Sequence, residues 1–267
     1  MGFDAMEEEK PRKILKLFPL YTLIPTVACL LTQEIIYFGS KLADGRFHYD
    51  FTLAFDRAVP VIGFFAVFYI LSFPYWFFTL TAGGNTGKKN YYRFITCLFF
   101  QYAVCLTIFL VLPTTIVQPE LDTTKFGEWL IGVIYSFDTP TNLFPSIHVL
   151  MSWLCFCMVR GRKDVRPWLQ ISSCVMAVLV LLSTQFIKQH YIVDAIAGVF
   201  LAELFWFLTG RFPVLVRPFE RFFEMLNGKA ARLGRKSTVD NREQAVGDCA
   251  QAPRTAGDGE GEKENDH

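Results

Sequence analysis

The feature that most constrains the fold of this chain is a series of long stretches with almost no charged residue. Each is close to the roughly 20 residues that cross the hydrocarbon core of a bilayer as a helix. The six stretches are 17–38, 58–81, 94–117, 143–159, 167–187 and 191–210. The chain is 52% hydrophobic and has 28 Phe among its 267 residues, which is too apolar for an ordinary soluble domain. We therefore predict an all-α fold, an integral membrane six-helix bundle. The alternative of a large soluble protein with buried helices is disfavoured, because aromatic residues flank the stretches.

Lysine and arginine are distributed unevenly between the two ends of the predicted helices. At one end, the N-terminus contains 4 Lys and Arg residues, 82–93 contains 3, 160–166 contains 4, and 211–236 contains 7. At the other end, 40–57 contains 3 of them, and 118–140 and 188–190 contain 1 each. Loops rich in Lys and Arg tend to stay on the cytoplasmic side. We therefore expect both termini in the cytoplasm and the second set of segments on the extracytoplasmic face of the cell membrane.

The predicted spans divide the chain into three parts. Residues 1–16 form a cytoplasmic N-terminal segment, 17–210 the six-span transmembrane domain that would carry any catalytic site, and 211–267 a cytoplasmic tail. The tail turns polar and Gly-rich beyond about residue 228, so we expect disorder there. No small-residue cleavage site follows the first span, which indicates a retained helix and not a signal peptide. The sequence contains no recognisable nucleic-acid module, so we expect no nucleic-acid partner, and it identifies no protein partner.

A histidine and an aspartate interrupt the apolar pattern at the start of the last span. In the stretch STQFIKQHYIVDAIAG, which runs from Ser183 to Gly198, Asp194 follows His190 by four residues. On a helix these side chains share a face, so the carboxylate can accept a hydrogen bond from one ring nitrogen. The other nitrogen would then be free for nucleophilic or general-base work. The alternative is a helix-end histidine at the headgroup level with an aspartate as its polar neighbour.

A second stretch, TNLFPSIHVLMSW, opens the fourth span at the same predicted membrane face. Pro145 and Ser146 are typical of a helix N-terminus, with Pro suited to the first turn and Ser to capping. Helix N-termini offer free backbone N–H groups and the positive end of the dipole, which favour anions. His148 lies just inside this turn. Two histidines, a carboxylate and an anion-binding helix start are the components of a phosphoryl-transfer site.

The two stretches together resemble the second and third signature motifs of the type 2 phosphatidic acid phosphatase superfamily, P-S-G-H and S-R-x5-H-x3-D. The matching residues are Pro145, Ser146, His148, Ser183, His190 and Asp194. The resemblance extends to the helix layout from about residue 17 to 210 and implies a six-helix bundle. It implies that His190 attacks phosphorus to form a phosphohistidine, that His148 protonates the leaving group, and that Asp194 supports the nucleophile. It also implies that Ser146 and Ser183 bind the phosphate.

The chain departs from the family pattern where the family has cations. The first motif, K-x6-R-P, should end the third span, but Val111 stands at the Lys position and Gln118 at the Arg position, and only Pro119 matches. Thr184 replaces the arginine of the third motif, and Ile147 replaces the glycine of the second. A phosphomonoester dianion or pyrophosphate benefits most from charge-assisted contacts. A phosphodiester monoanion needs fewer of them.

Lys188, two residues before His190, is the nearest basic residue in the sequence and a candidate substrate-binding residue. A lysine that anchors the helix end at the interface is the alternative. The missing cations also make the chain similar to inositol phosphorylceramide synthase and sphingomyelin synthase, a branch that moves phosphorylated headgroups between lipids. A phosphohistidine can pass its phosphoryl group to water or to a lipid hydroxyl. We predict a membrane lipid phosphate phosphatase acting on a phospholipid or sphingolipid at the extracytoplasmic face, with headgroup phosphotransfer as the alternative.

Two hypotheses from other classes remain open at this point. His148, His190 and Asp194 are residue types that can ligate zinc, although the phosphohistidine mechanism requires no metal and no cofactor. The chain could also be a transporter or channel, with Glu34, Asp194 and Glu203 as polar groups along a pathway. The absence of an internal repeat, and the placement of both histidines at one face, favour the enzyme.

Overall fold

The computed structural model describes residues 18–41 and 45–232, and its regular elements there are all helices. They are α1 (Leu23–Ser40), α2 (Ala54–Ala58), α3 (Ala66–Ala82), α4 (Lys88–Val111), α5 (Phe126–Phe137), α6 (Ile147–Val159), α7 (Pro167–Phe186), α8 (Ile192–Arg211) and α9 (217–232). Short 3₁₀ turns extend several of them, at Leu20–Thr22, Gly63–Phe65, Gly83–Thr86 and Pro213–Leu215. The described residues form no strand, only two isolated bridges. The predicted all-α fold is confirmed.

Five helices are long and apolar enough to cross a membrane. With their 3₁₀ extensions they are Leu20–Ser40, Gly63–Thr86, Lys88–Val111, Pro167–Phe186 and Ile192–Arg211. Large apolar side chains on their outer faces are exposed, among them Leu31, Phe77 and Phe207. A soluble protein would bury such surface, whereas hydrocarbon accommodates it. The chain is an integral membrane protein.

The fourth predicted span differs from the other five. Helix α6 has 13 residues, so at 1.5 Å per residue it is roughly 20 Å long and shorter than a hydrocarbon core. It packs against α3, α4, α7 and α8. Val149, Leu150 and Leu154 are fully buried within it. Hydropathy alone cannot distinguish such a central helix from a lipid-facing one, because both are apolar.

The third predicted span is shifted by six residues towards the N-terminus. Helix α4 begins at Lys88, six residues before the predicted start at 94, and ends at Val111. Two of the three basic residues in its first turns have partners that stabilise their charge. The Lys88 ammonium lies 2.8 Å from Glu224, and the Arg93 guanidinium stacks on the Trp206 ring at 3.8 Å.

The chain divides into two compact units, Met1–Glu224 and Met225–His267. The first contains all the membrane helices and the candidate site. Of the second, the structure describes only 225–232, which are helical. The predicted cytoplasmic segment 1–16 and the part of the predicted disordered tail beyond 232 lie outside the described residues.

Candidate active site

The predicted pair of His190 and Asp194 lies at the start of α8, where the turn 187–191 connects it to α7. Asp194 Oδ2 is 3.2 Å from His190 Nδ1 and accepts a hydrogen bond from the Tyr191 N–H at 3.0 Å. Asp194 is fully buried and His190 is 9% exposed. The carboxylate therefore caps the N-terminus of α8, where the helix dipole stabilises negative charge, and also orients the imidazole. The two side chains are in contact as predicted, but His190 lies in the turn before α8 and not on a helix face shared with Asp194.

His148 lies in the first turn of α6, and its imidazole faces that of His190. The two ring centroids are 5.9 Å apart. Tyr69 stacks on the His148 ring at 4.3 Å, and Phe73 and Trp76 contact it at 5.8 and 5.3 Å. The Nε2 atom of His148 is buried and has no hydrogen-bond partner among the described residues. An aromatic wall thus fixes this ring while leaving a polar atom available.

Ser146 holds the start of α6 in place. Its Oγ accepts a hydrogen bond from the Val149 N–H at 3.4 Å, as expected of a capping serine. Its own N–H donates to the Asp194 backbone oxygen at 3.2 Å, which ties α6 to the first turn of α8. A Cβ added at Gly198 would lie 2.9 Å from the Ser146 carbonyl oxygen. The close approach of α6 and α8, and with it the distance between the histidines, therefore depends on a glycine.

The larger of two cavities at this end of the bundle has a volume of about 560 Å³ and is lined by both histidines. Most of its wall is apolar or aromatic and comes from α1, α3, α4 and α5, with Ile70, Phe73, Phe109, Val133, Ile134 and Phe137. Its polar lining residues include Glu34, Lys41, Asp138, Asn142 and Gln189. A cavity with an apolar wall and a few polar groups at one end suits an amphiphilic ligand.

The smaller cavity, of about 390 Å³, shares His190 with the larger one, and seven of its eleven lining residues are polar or charged. Arg57 of α2 and Lys188 both line it. The Lys188 Nζ donates to the Asp56 backbone oxygen at 2.5 Å, and partial burial lowers the pKa of Lys188 while the charge of Asp56 opposes that shift. Among the described residues, Arg57 forms no ion pair.

The two acidic side chains of the smaller cavity are already engaged. Asp56 accepts hydrogen bonds from the backbone N–H groups of Leu53 and Ile192, both at 2.8 Å. Asp50 accepts from Thr52 and from the Tyr191 hydroxyl at 2.7 Å, and these hydrogen bonds lower the pKa of Asp50. The carboxylates therefore position the backbone around His190, whereas Arg57 and Lys188 face the cavity.

The structure does not bring every candidate residue to the cavities. Ser146 and Ser183 are fully buried and line neither of the two, and the Ser183 hydroxyl donates to the Val180 carbonyl oxygen of its own helix at 2.7 Å. Lys188 lines the smaller cavity and not the one that contains His148.

Sequence reasoning missed most of the residues that line the cavities, among them Arg57, Asn142 and Gln189. Asn142 and Gln189 each lie within a few residues of a motif histidine, so proximity in sequence could have pointed to them. Arg57 is one of several basic residues in the loop between the first two spans and carries no comparable signal.

The positions where the family has cations contain no substitute charge. Val111 ends α4 and is 76% exposed, and the Thr184 hydroxyl donates to the Leu181 carbonyl oxygen at 2.8 Å. Gln118 has a buried Nε2 without a hydrogen-bond partner among the described residues. Pro119, which matches the first motif, lines the smaller cavity.

The structure also shows the surroundings of the residues that the transporter and zinc-site hypotheses invoke. Glu203 is bound by Arg160 through two contacts of 2.5 and 2.8 Å and accepts from Trp153 at 2.8 Å. Glu34 lines the larger cavity. Within the described part of the chain, no group of three or more His, Cys, Asp or Glu side chains is arranged to hold a metal ion.

Comparison with known proteins agrees with the motif resemblance. The profile of the PAP2 superfamily matches residues 42–208, a range that includes His148, His190 and Asp194. No curated protein and no solved structure shows a significant similarity to the chain. The family match spans more than half of the 267 residues. This protein therefore belongs to the PAP2 superfamily of membrane proteins.

Proposed function

We propose that this protein is a lipid phosphate phosphatase that acts through a phosphohistidine on His190. The observation that carries the proposal is the arrangement of three side chains. Asp194 holds Nδ1 of His190 at 3.2 Å, and the His148 ring lies 5.9 Å from the His190 ring across a shared cavity. Both rings line the same cavity, so a phosphoryl group bound there would contact a nucleophile on one side and a proton donor on the other.

The reaction then proceeds in two displacements. Nε2 of His190 attacks phosphorus, the bond from phosphorus to the lipid oxygen breaks, and protonated His148 donates its proton to that oxygen. Asp194 stabilises the positive charge that His190 acquires. Water next attacks the phosphohistidine, His148 takes a proton from it, and inorganic phosphate leaves. Both histidines return to their starting states.

The two cavities support separate routes for lipid and water. The apolar wall of the larger cavity suits the acyl chains, and His148 in that cavity is correctly placed to protonate a lipid leaving group. The smaller cavity, which His190 also lines, gives water a route to the phosphohistidine and phosphate a route out past Arg57 and Lys188. Ser146 contributes by capping α6, which orients His148.

Transfer of a phosphorylated headgroup to a second lipid is the alternative. The uncharged residues at the family's cation positions, Val111, Gln118 and Thr184, favour it, because a phosphodiester monoanion needs less charge compensation than a monoester dianion. The acceptor lipid would then enter the larger cavity after the first product leaves. The same three catalytic residues serve both reactions.

The deciding experiment uses purified protein in detergent and two radiolabelled mixtures. One contains phosphatidic acid, and the other a phospholipid headgroup donor with ceramide or diacylglycerol. We expect release of inorganic phosphate in the first, its loss in His190→Ala and His148→Ala, and a rate reduced by at least about a hundredfold in Asp194→Asn. A new headgroup-bearing lipid without free phosphate would establish the transferase instead. Wild-type turnover in His190→Ala would refute the mechanism for both reactions.

A further inference from the structure

The larger cavity contains two buried amide side chains that have unsatisfied hydrogen-bonding groups. Asn142 is 9% exposed, and neither its Nδ2 nor its Oδ1 has a partner among the described residues. Gln189 is 1% exposed, and its Nε2 is likewise without a partner there. A buried polar group without a partner destabilises the fold. Two of them in the cavity lined by both histidines indicate that they interact with a ligand.

The backbone holds both residues in place by contacts that leave the amides free. Asn142 has a φ of 58°, and its N–H donates to the Thr114 carbonyl oxygen at 2.7 Å. The Thr114 hydroxyl accepts from the next two N–H groups, those of Leu143 and Phe144, at 2.8 and 3.1 Å. The Gln189 N–H donates to the Thr184 carbonyl oxygen at 3.0 Å. Each amide is therefore anchored from the main chain and presented by a rigid turn.

We propose that the side-chain amides of Asn142 and Gln189 donate hydrogen bonds to the non-bridging oxygens of the phosphoryl group held between His148 and His190. This inference rests on the proposed function and identifies its phosphate-binding groups. Both residues line the cavity in which a phosphoryl group would meet the two histidines, whereas Arg57 and Lys188 line only the other cavity. Neutral amides thus take the role that Lys and Arg have in the family motifs. Preorganised donors of this kind act most strongly where charge develops in the transition state.

The test uses variants that remove the side-chain amide and keep the backbone conformation of the turn. Asn142→Gly keeps a backbone that adopts positive φ freely, so it retains the turn and removes only the amide. Gln189→Met keeps the length of the side chain and removes an unpaired donor. The matched control is Gln101→Met, because Gln101 is a fully buried glutamine of α4 with an unpaired Oε1 that lines neither of the two cavities.

We expect Asn142→Gly and Gln189→Met each to lower kcat for phosphatidic acid by about a hundredfold with little change in KM, as for loss of an oxyanion donor. Calorimetric binding of orthovanadate, which mimics the five-coordinate transition state, should weaken by at least about tenfold in both. The melting temperature of Gln189→Met should not fall, because no hydrogen bond within the protein is lost. Gln101→Met should match the wild type in kcat and in vanadate binding.

Two outcomes would overturn the inference. If phosphate release depends on His190 but Asn142→Gly and Gln189→Met retain wild-type kcat and vanadate affinity, the proposed function stands and the amides are not its phosphate ligands. If the wild type turns over no lipid, the proposed function fails. Vanadate binding alone then shows whether the two amides bind an oxyanion. Equal vanadate binding in all variants then overturns the inference, and selective weakening in the two amide variants upholds an oxyanion site.

Discussion

Individual side chains around His190 differ in whether they are engaged by the protein or open to a ligand. Asp194 is engaged, because one of its carboxylate oxygens contacts Nδ1 of His190 and accepts a hydrogen bond from the Tyr191 N–H. Asp50 and Asp56 are engaged by hydroxyl and backbone donors. Arg57 lines the smaller cavity without an ion pair among the described residues, whereas the Lys188 Nζ there donates to the Asp56 backbone oxygen. The sequence alone shows the types of these residues but not this division, because it depends on which backbone groups each side chain reaches.

The first prediction at the residue scale concerns the two cations of the smaller cavity. We expect Arg57→Gln and Lys188→Gln each to raise the inhibition constant of inorganic phosphate by about tenfold. A hydrogen bond to a charged group contributes about 1.5–3 kcal/mol, and solvent screening reduces this at a partly exposed site. The measurement is product inhibition of phosphatidic acid hydrolysis at two salt concentrations.

The control for these variants is Arg46→Gln. The Arg46 guanidinium donates to the Leu110 carbonyl oxygen at the same end of the bundle, and the residue lines neither cavity. We expect it to leave phosphate inhibition unchanged. Equal inhibition constants in Arg57→Gln, Lys188→Gln and Arg46→Gln would remove the smaller cavity as the route for phosphate.

At the scale of the helices, the distance between α6 and α8 sets the geometry of the site. Helix α6 carries His148, and α8 carries Asp194 with His190 just before its start. The two helices meet at Gly198, beside the capping residue Ser146. Because α6 is only 13 residues long and enclosed by neighbours, its first turn has little freedom to move independently. A small shift of this turn changes the separation of the two histidine rings.

Replacing the glycine at this contact tests that dependence. In Gly198→Ala the new methyl group would lie 2.9 Å from the Ser146 oxygen and 3.2 Å from the Leu150 nitrogen, both backbone atoms. We expect a loss of about 1–3 kcal/mol in stability, typical of overpacking, and a kcat lowered by at least about tenfold. Thermal unfolding in detergent and the phosphatidic acid assay measure the two effects.

Gly132→Ala in α5 is the matched control. A methyl group there would have only the Leu121 Cδ1 atom nearby, at 3.9 Å, which is an ordinary contact. Alanine also favours a helix over glycine by about 1 kcal/mol. We expect unchanged kcat and equal or higher stability. If Gly198→Ala behaves in the same way, the α6–α8 contact does not control the site.

At the scale of the whole molecule, the loops sort into two groups at opposite ends of the bundle. Both cavities lie at the end formed by residues around 50–59, 113–119, 139–146 and 187–191. The opposite end brings together Asn90 with Met158 and Arg162 with Thr86. This grouping agrees with the alternation of basic and less basic segments. It leads us to propose that the site faces the extracytoplasmic side, where the loops contain fewer Lys and Arg.

Cysteine labelling in intact cells tests this orientation. Lys125 and Lys163 are exposed and belong to loops at opposite ends of the bundle. In a Cys249→Ser background, we expect a membrane-impermeant maleimide to label Lys125→Cys in intact cells, and to label Lys163→Cys only after permeabilisation. The described cysteines are buried or partly buried, which keeps background labelling low. The opposite pattern would place the site on the cytoplasmic side.

The sequence by itself determined the properties that depend on local patterns. Long apolar stretches specify membrane helices, a serine before an apolar run specifies a cap, and a four-residue spacing brings His190 to Asp194. The motif pair was enough to indicate the family, which the match over 42–208 confirms. Each of these follows from helix geometry or from residues close together in the chain.

Only the tertiary structure decided which residues reach the site. In the structure, α6 is shorter than the predicted fourth span, and Lys188 lines a different cavity from His148. Ser146 and Ser183 are buried and line neither cavity. The tertiary structure also added Arg57, Asn142 and Gln189 to the cavity walls. The physical reason is that these placements arise from packing between segments distant in sequence, such as Thr114 against the loop of Asn142. A local pattern contains no information about such contacts.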